Sequence, residues 1–131
     1  MSSTVTNLDT LRRQLLAFRD ERDWKQFHTL KNLIVSLNLE SAELLELTQW
    51  KTDAQLDALK ADAGFREALR DECADVLLYL LLVADDAGID LLAAAQAKIA
   101  KNAAKYPVEQ AFGSAKKYTE LKDAARKKDR Q

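Results

Sequence analysis

The sequence predicts an all-α protein built as a four-helix bundle with one short connecting helix. The chain of 131 residues contains only three glycines and one proline, and alanine and leucine are abundant. This composition favours helices, because glycine and proline are the residues that helices tolerate least. Apolar residues also recur at steps of three and four along most of the chain, which is the period of an amphipathic helix. The length predicts a single domain.

Capping residues and a break in the apolar period delimit the first two helices. Asn7 is a good N-cap, and the helix that follows it should end around Asp20. We expect this helix to bury the stripe Leu8, Leu11, Leu15 and Phe18. The segment ERDWKQFH, residues 21–28, interrupts the period and is predicted to be a loop. The second helix should run from about Thr29 to Gln49.

A short helix should connect the second long helix to the third. Thr52 and Gln55 have the spacing of a capping box, which predicts a helix over residues 53–61. Gly64 is then expected to separate this helix from the next one.

The third and fourth long helices have clear stop signals. The third should run from Phe65 to about Ala87 and end at Gly88. Asp90 is the predicted cap of the fourth, residues 91–105, which Pro107 ends. The apolar pattern then fades. We therefore predict one domain over residues 1–115, followed by a basic, flexible tail over residues 116–131, which hold seven basic and three acidic residues.

The second helix carries three acids, Glu40, Glu43 and Glu46, at three-residue steps. Such steps place side chains on neighbouring parts of one helix surface. The helix is apolar on nearly every side: its main stripe is Leu30, Leu33, Ile34, Leu37, Leu44 and Thr48, with Val35, Leu39 and Leu47 outside it. A helix that is apolar all round is expected to be buried, and a buried carboxylate needs a counter-charge.

A second acid pair, Glu72 and Asp75, opens the apolar run of residues 76–83 in the third helix. If the second and third helices are antiparallel, one register makes Glu40 face Asp75 and Glu43 face Glu72. Four carboxylates then converge between two buried helices.

Four like charges in one place either take up protons or hold a cation. Because the ligands are all oxygen, they favour Mg²⁺ or Mn²⁺ over zinc, and Mg²⁺ commonly keeps open positions for substrate phosphates. The residues therefore predict a metal site that receives a phosphorylated ligand. The alternative is two chance acid pairs on solvated helix faces. Cys73, between the two acids of the third helix, is expected to act as a small apolar side chain without a chemical role.

Composition also bounds the location and the partners of the protein. The net charge of −1 gives no reason to expect nucleic-acid binding. A single cysteine fits a reducing cytoplasm, and neither a signal peptide nor a membrane span is evident. Because the second and third helices are apolar all round, four helices leave too little cover for both. We therefore expect a homo-oligomer, at least a dimer.

Five motifs in order resemble the MazG-like, all-α nucleoside triphosphate pyrophosphohydrolases, and most closely their dCTP pyrophosphatase branch. The family signature is E-x-x-E followed by E-x-x-D, which this chain carries in ESAELLE and ECAD. The other motifs are ERDWKQFH, LTQWKTD, DVLLYL, and KYP with a later KKYTEL. The similarity runs from about Leu11 to Leu121. One departure is that many members have two adjacent acids where this chain has Leu39 and Glu40. The resemblance implies a tetramer built as a pair of dimers.

The resemblance also implies which side chains bind the nucleotide. On the residues alone, Trp24 and Trp50 are as readily core or interface aromatics as platforms for a nucleobase. The resemblance implies that both line the base pocket with Phe27 and Tyr79, and Tyr79 lies one helical turn after Asp75.

The remaining binding residues follow from the resemblance in the same way. A lone histidine at a helix start is more often a surface or capping residue, but the resemblance implies that His28 lies in the substrate pocket as a binding residue. It also implies that Lys98, Asn102 and Tyr106 contact the phosphates. Lysines near a helix end, such as Lys105, are also favoured merely by the helix dipole.

The resulting functional prediction is Mg²⁺-dependent hydrolysis of dCTP, or a modified dCTP, to the monophosphate and pyrophosphate. The resemblance supplies the products and the base, and it implies a role in cleaning the nucleotide pool. From spacing alone, Glu46 lies one step beyond Glu43 and could accept the proton of the attacking water. Two alternatives stay open: the same architecture acting on another nucleotide such as dUTP, and a non-enzymatic helical module whose acids serve metal-dependent assembly.

Overall fold

A computed structural model describes residues 4–114, 119–120, 123, 126–127 and 130 of the chain. All regular structure in these residues is helical, which confirms the predicted all-α class. The chain forms two compact units, Met1–Ile89 and Asp90–Gln131. The predicted division at residues 115 and 116 stays a prediction, because most of the expected tail lies outside the described residues.

The first unit contains four α-helices and one short 3-10 turn. The helices are α1 (Leu8–Glu21), α2 (Leu30–Glu46), α3 (Asp53–Leu59) and α4 (Ala63–Asp86), with the 3-10 turn at Lys25–Phe27. Helix α4 packs against α2 over an extended contact and against α1 over a shorter one. The buried apolar side chains of the unit come from α2 and α4: Leu33, Leu81, Leu82 and Ala84. The second unit contains α5 (Leu91–Lys105) and α6 (Val108–Ala111).

The predicted caps Asn7 and Asp90 are confirmed, and Thr29 is a further cap, at the predicted start of α2. The side chains of Asn7, Thr29 and Asp90 accept hydrogen bonds from backbone N–H groups in the first turns of α1, α2 and α5, at 2.8, 3.1 and 3.1 Å. The capping box between Thr52 and Gln55 is complete in both directions. These bonds satisfy backbone donors that have no partner inside a helix, so each cap fixes where its helix begins.

The start of α4 differs from the prediction. Gly64 does not separate two helices; it lies in the first turn of α4, which begins at Ala63. The reason is Asp62, whose carboxylate accepts the N–H of Phe65 at 2.9 Å and so caps the helix earlier than expected. Gly88 ends the chain's longest helix as predicted, with a φ of +67° that suits glycine.

Three smaller differences concern the end of α2 and two short helical segments that were not predicted. Helix α2 stops at Glu46, and residues 47–50 form a turn instead of continuing to Gln49. The predicted loop of residues 21–28 contains the 3-10 turn, and α6 falls where no helix was expected.

The buried side of α1 also differs from the prediction. Leu8, Leu11 and Leu15 are only half-buried, and Phe18 is exposed. The buried residue of α1 is Arg19, which is 8% exposed. Arg19 lies one turn beyond Leu15 and so continues the same helix face.

One side of α2 remains uncovered. Leu33 is buried, yet four apolar residues on the other side are 49% to 59% exposed: Ile34, Val35, Leu39 and Leu45. The predicted burial of α2 on all sides is therefore not reached within one chain. Although these side chains are apolar, no helix in the described part of the chain has the length and hydropathy needed to cross a membrane.

Candidate active site

The packing of α2 on α4 brings acids from both helices together. One carboxylate oxygen from each of Glu40, Glu43 and Glu72 lies within 4.8 Å of the other two. Glu40 and Glu72 are half-buried, whereas Glu43 is exposed. Three oxygen ligands at this separation are close enough to bind one hard cation together.

The fourth predicted acid, Asp75, lies beside this group but is not one of the three. Asp75 is half-buried on α4, and its negative charge raises the pKa of both Glu40 and Glu72. Glu43 also raises the pKa of Glu72, the acid that the predicted register opposes to it.

The electrostatics of the group raise the pKa of its half-buried members. The pKa of Glu40 is raised to about 7, first by burial, then by its contact with Glu43 and the charges of Glu43, Asp75 and Glu72. Burial and the charge of Glu43 also raise the pKa of Glu72. The Oε2 atoms of Glu40 and Glu72 are buried and make no hydrogen bond within the described residues. A group of this kind either takes up protons or holds a cation that the free oxygens can bind.

Glu46, the predicted proton acceptor, is the last residue of α2. Its side chain is exposed, and it lies outside the group of three close carboxylates. Glu46 is therefore accessible to water and lies one turn beyond the other acids of α2. Its role as the proton acceptor stays a prediction.

Trp24, predicted to contact the base, belongs to a small aromatic and cationic cluster. Its ring meets the Phe18 ring edge to face, with the ring centroids 5.7 Å apart. The Arg22 guanidinium lies 3.7 Å from the centroid of Phe18 and 6.0 Å from that of Trp24. Phe18 and Arg22 therefore support the indole, which remains 44% exposed and available for stacking.

His28 is half-buried and lines a cavity of about 250 Å³ with five other residues: Arg19, Lys25, Leu33, Asp85 and Asp86. Its Nδ1 atom is buried and has no hydrogen-bond partner in the described part of the chain. Burial, and then the positive charge of Arg19, lower the pKa of His28. Both effects favour the neutral imidazole, which has one donor and one acceptor nitrogen.

The other aromatic residues predicted for the base pocket are spread over the first unit. Phe27 ends the 3-10 turn and is exposed, and Trp50 is exposed in the turn after α2. Tyr79 is half-buried on α4, one turn beyond Asp75. No aromatic contact joins these three to Trp24 in the residues described, so their shared role stays a prediction.

The residues predicted to contact phosphate lie in the second unit. Lys98 is exposed and Asn102 half-buried on α5, and Tyr106 follows the end of that helix. The ammonium of Lys105 lies 5.7 Å from the centroid of the Tyr106 ring. Lys98 and Asn102 are four residues apart and therefore share a helix face, as their spacing predicts.

Comparison with known proteins decides the family. A model of the MazG-like family matches residues 35–121, which include all four acids of the two signature motifs. The chain belongs to the MazG-like family. This finding confirms the resemblance found in the sequence.

The relatives of this MazG-like chain extend the match over almost its whole length. It is 43% identical to rat dCTP pyrophosphatase 1 over 119 residues, which are 91% of this chain and 70% of the relative. It is 41% identical to the human dCTP pyrophosphatase 1 over 127 residues, 97% of this chain and 75% of the relative. A solved pyrophosphatase from Archaeoglobus fulgidus is 39% identical, with a TM-score of 0.70, covering 82% of this chain and 98% of that one.

Reasoning from the sequence missed the ionic contacts of Arg19 and Asp85 in this MazG-like chain. Asp85 accepts a hydrogen bond from Arg12 at 2.9 Å and lies 3.7 Å from the Arg19 guanidinium. The available signals were an arginine in step with the apolar stripe of α1 and an acid at the end of the apolar run of α4. Each is ordinary by itself, and only their pairing is informative.

Proposed function

We propose that this protein hydrolyses dCTP, or a modified dCTP, to the monophosphate and pyrophosphate, and so removes such nucleotides from the cellular pool. The observation that carries the proposal is the convergence of Glu40, Glu43 and Glu72, with Asp75 beside them, in the acid motifs of a MazG-like chain. Four proteins named dCTP pyrophosphatase 1 are 40% to 43% identical over at least 91% of the chain, which supports the choice of substrate.

The acids would hold a divalent cation, and their chemistry fits one. Carboxylate oxygens are the ligands that Mg²⁺ and Mn²⁺ prefer, and one oxygen each of Glu40 and Glu72 is buried without a hydrogen bond from the described residues. Glu40, Glu43 and Glu72 would bind the ion, with Asp75 as a fourth ligand. When bound, Mg²⁺ would reduce the negative charge that builds up on the phosphates during hydrolysis.

The chain's own side chains orient the substrate and accept a proton. Glu46, exposed at the end of α2, accepts the proton of the attacking water. Trp24, supported by Phe18 and Arg22, offers a stacking face to the base, and His28 offers a ring nitrogen that has no hydrogen-bond partner among the described residues. Phe27, Trp50 and Tyr79 complete the base pocket, and Lys98, Asn102 and Tyr106 contact the phosphates.

We also propose that copies of the chain cover the exposed side of α2. The four half-exposed apolar residues on that helix form a face of the kind that homo-oligomer interfaces bury. A dimer is the smallest assembly that covers it, and a tetramer built as a pair of dimers is the assembly that we expect. The single cysteine is in keeping with work in the reducing cytoplasm.

The test is pyrophosphate release from a panel of deoxyribo- and ribonucleoside triphosphates, with Mg²⁺ and with excess chelator. Release should peak at dCTP, require Mg²⁺ and vanish in Glu43→Gln, while Glu67→Gln, an exposed acid elsewhere on α4, serves as the matched control. Greatest release from dUTP would show that the preferred base is uracil and not cytosine, and would leave the proposed metal site unchanged. An absence of release from every nucleotide, combined with loss of the oligomer on chelation, would favour the assembly module instead.

Glu46 needs a separate variant in the same assay. Glu46→Gln should lower turnover, because an amide cannot accept the proton of the attacking water. Turnover equal to that of the wild type would remove Glu46 from the mechanism without affecting the metal site.

A further inference from the structure

A group of charged residues joins the end of α1 to the end of α4, away from the acid site. Arg19, although a cation, is the buried residue of α1. Its Nε donates to Asp20 at 2.8 Å, and its Nη1 lies 3.7 Å from Asp85, which also accepts from Arg12 at 2.9 Å. Because a buried charge is stable only with partners, these contacts fix the Arg19 side chain between the two helices.

The backbone of Arg19 anchors the turn that follows α1. Its carbonyl oxygen accepts the N–H groups of Arg22 at 3.2 Å and Trp24 at 3.1 Å. In the same turn Asp23 has a φ of +53°, a conformation rare outside glycine, and Gln26 donates to both the carbonyl and the carboxylate of Asp23. The segment from Trp24 to His28 is therefore attached to the residue whose side chain reaches α4.

The cavity beside His28 joins the same elements. Charged residues from three elements line it together with His28, namely Arg19 from α1, Lys25 from the 3-10 turn, and Asp85 and Asp86 from α4, while α2 contributes the apolar Leu33. The buried Nδ1 of His28 has no hydrogen-bond partner in the residues described. Among these charged residues, Arg19 is the one whose charge lowers the pKa of the His28 imidazole.

We propose that Arg19, held by Asp85, is a positioning residue for substrate binding, which fixes the Trp24–His28 segment against α4 and presents His28 to the base. This inference rests on the function proposed above. Asp85 lies ten residues beyond Asp75 in the same helix, about 15 Å along its axis. That distance exceeds the roughly 8 Å screening length of physiological salt, so Arg19 should act on binding and not on the metal-bound acids.

The first test follows His28 directly, because it is the only histidine in the chain. NMR titration of its imidazole should give a higher pKa in Arg19→Gln than in the wild type, since the nearby positive charge is gone. Arg19→Lys keeps the charge and should restore most of the difference. Arg13→Gln is the matched control on α1, because Arg13 is exposed and pairs with Asp9 at 2.7 Å. An unchanged His28 titration in Arg19→Gln overturns the inference.

The second test separates binding from turnover. In Arg19→Gln the KM for dCTP should rise roughly fivefold, the change expected from the loss of one net hydrogen bond, with kcat and the Mg²⁺ requirement unchanged. Asp85→Asn removes the negative charge that holds Arg19 against α4, so it should also raise KM. This variant provides the test if Arg19→Gln does not fold. Folding should survive in Arg19→Gln, because Asp85 keeps Arg12 as a partner.

The outcomes distinguish this inference from the proposed function. A fall in kcat with unchanged KM, or kinetics equal to those of Arg13→Gln, would show that Arg19 does not position the binding segment. The His28 titration needs no substrate. A wild-type protein that releases pyrophosphate but shows no Arg19 effect therefore contradicts only this inference, whereas inactivity on every nucleotide contradicts the proposed function.

Discussion

At the scale of single residues, Glu40 is the acid on which the electrostatics of the site act most strongly. Burial, the adjacent Glu43 and the charges of Glu72 and Asp75 together raise its pKa to about 7. Without a cation the carboxyl therefore carries a proton part of the time near neutral pH. A bound cation reverses this balance, because it stabilises the charged form.

The raised pKa values predict how the stability of the metal-free protein depends on pH. The pKa values of Glu40 and Glu72 are higher in the folded protein than the ordinary value of 4.5, which applies in the unfolded state. Both side chains therefore bind protons more tightly when the protein is folded. Their contribution to the free energy of unfolding is fully present below about pH 4.5 and is lost as the pH rises through the raised pKa of each group, which is about 7 for Glu40. Thermal melts in excess chelator should therefore show wild-type stability falling, relative to Glu40→Gln, between about pH 5 and about pH 8.

The comparison with Glu40→Gln is needed because His28 acts in the opposite direction. Its pKa is lowered, so its contribution is lost as the pH falls below its ordinary value of 6.5. Glu67→Gln should follow the wild-type pH dependence. A chelated wild-type protein that gains stability relative to Glu40→Gln as the pH rises would contradict the electrostatic account.

Mg²⁺ itself should stabilise the folded protein through the same residues. At a hundredfold excess over its Kd, a ligand of the folded state adds about 2.7 kcal/mol to the free energy of unfolding. Glu40→Gln and Glu43→Gln should lose most of this gain, since each removes a charged ligand, whereas Glu67→Gln should keep it. Urea unfolding with and without Mg²⁺ measures the difference, and an equal gain in all variants would place the ion elsewhere.

At the scale of helices, the sequence predicts the features that depend on neighbours in the chain. Asn7, the Thr52–Gln55 box and Asp90 were predictable because a cap and its helix lie within a few residues. The acid pairs were predictable as pairs because helical spacing fixes which side chains share a face. The cap at Asp62 was not predicted, because Gly64, two residues later, indicates a break between helices at this point.

Asp62 should therefore contribute to stability as a cap. Asp62→Ala removes the acceptor of the Phe65 N–H and should lower the free energy of unfolding by about 1 kcal/mol. The matched control is Asp57→Ala, which breaks an exposed ion pair with Lys60 and should cost about 0.5 kcal/mol or less. Urea denaturation gives both values, and equal effects would mean that Gly64, not Asp62, determines the start of α4.

At the scale of the whole molecule, the sequence predicts the helical class but not the contacts between distant segments. Arg12 and Asp85 are 73 residues apart, and no local pattern indicates that they meet. Burial of an arginine on α1 also contradicts the usual expectation for its residue type, since charged residues are buried only with partners. The incomplete cover of α2 within one chain was expected from the excess of apolar surface.

The exposed side of α2 predicts the effect of a single charge. Leu39→Glu places a carboxylate on this apolar face and should shift the protein from an oligomer to a monomer, because burying an unpaired charge opposes association. Gln14→Glu makes the same change in charge on the exposed surface of α1 and should leave the assembly unchanged. Sedimentation velocity measures both, and a Leu39→Glu protein that sediments as the wild type would exclude this face as the interface.

We propose that the acids of α2 and α4 form the metal site of a pyrophosphohydrolase. Separation of the products of dCTP hydrolysis, while Mg²⁺ is titrated into chelator-treated wild-type and Glu43→Gln protein, tests this proposal most directly. We expect dCMP and pyrophosphate in equal amounts, rising with Mg²⁺ in the wild type and absent in the variant. Formation of dCDP and phosphate, or hydrolysis that ignores both Mg²⁺ and the loss of Glu43, would contradict it.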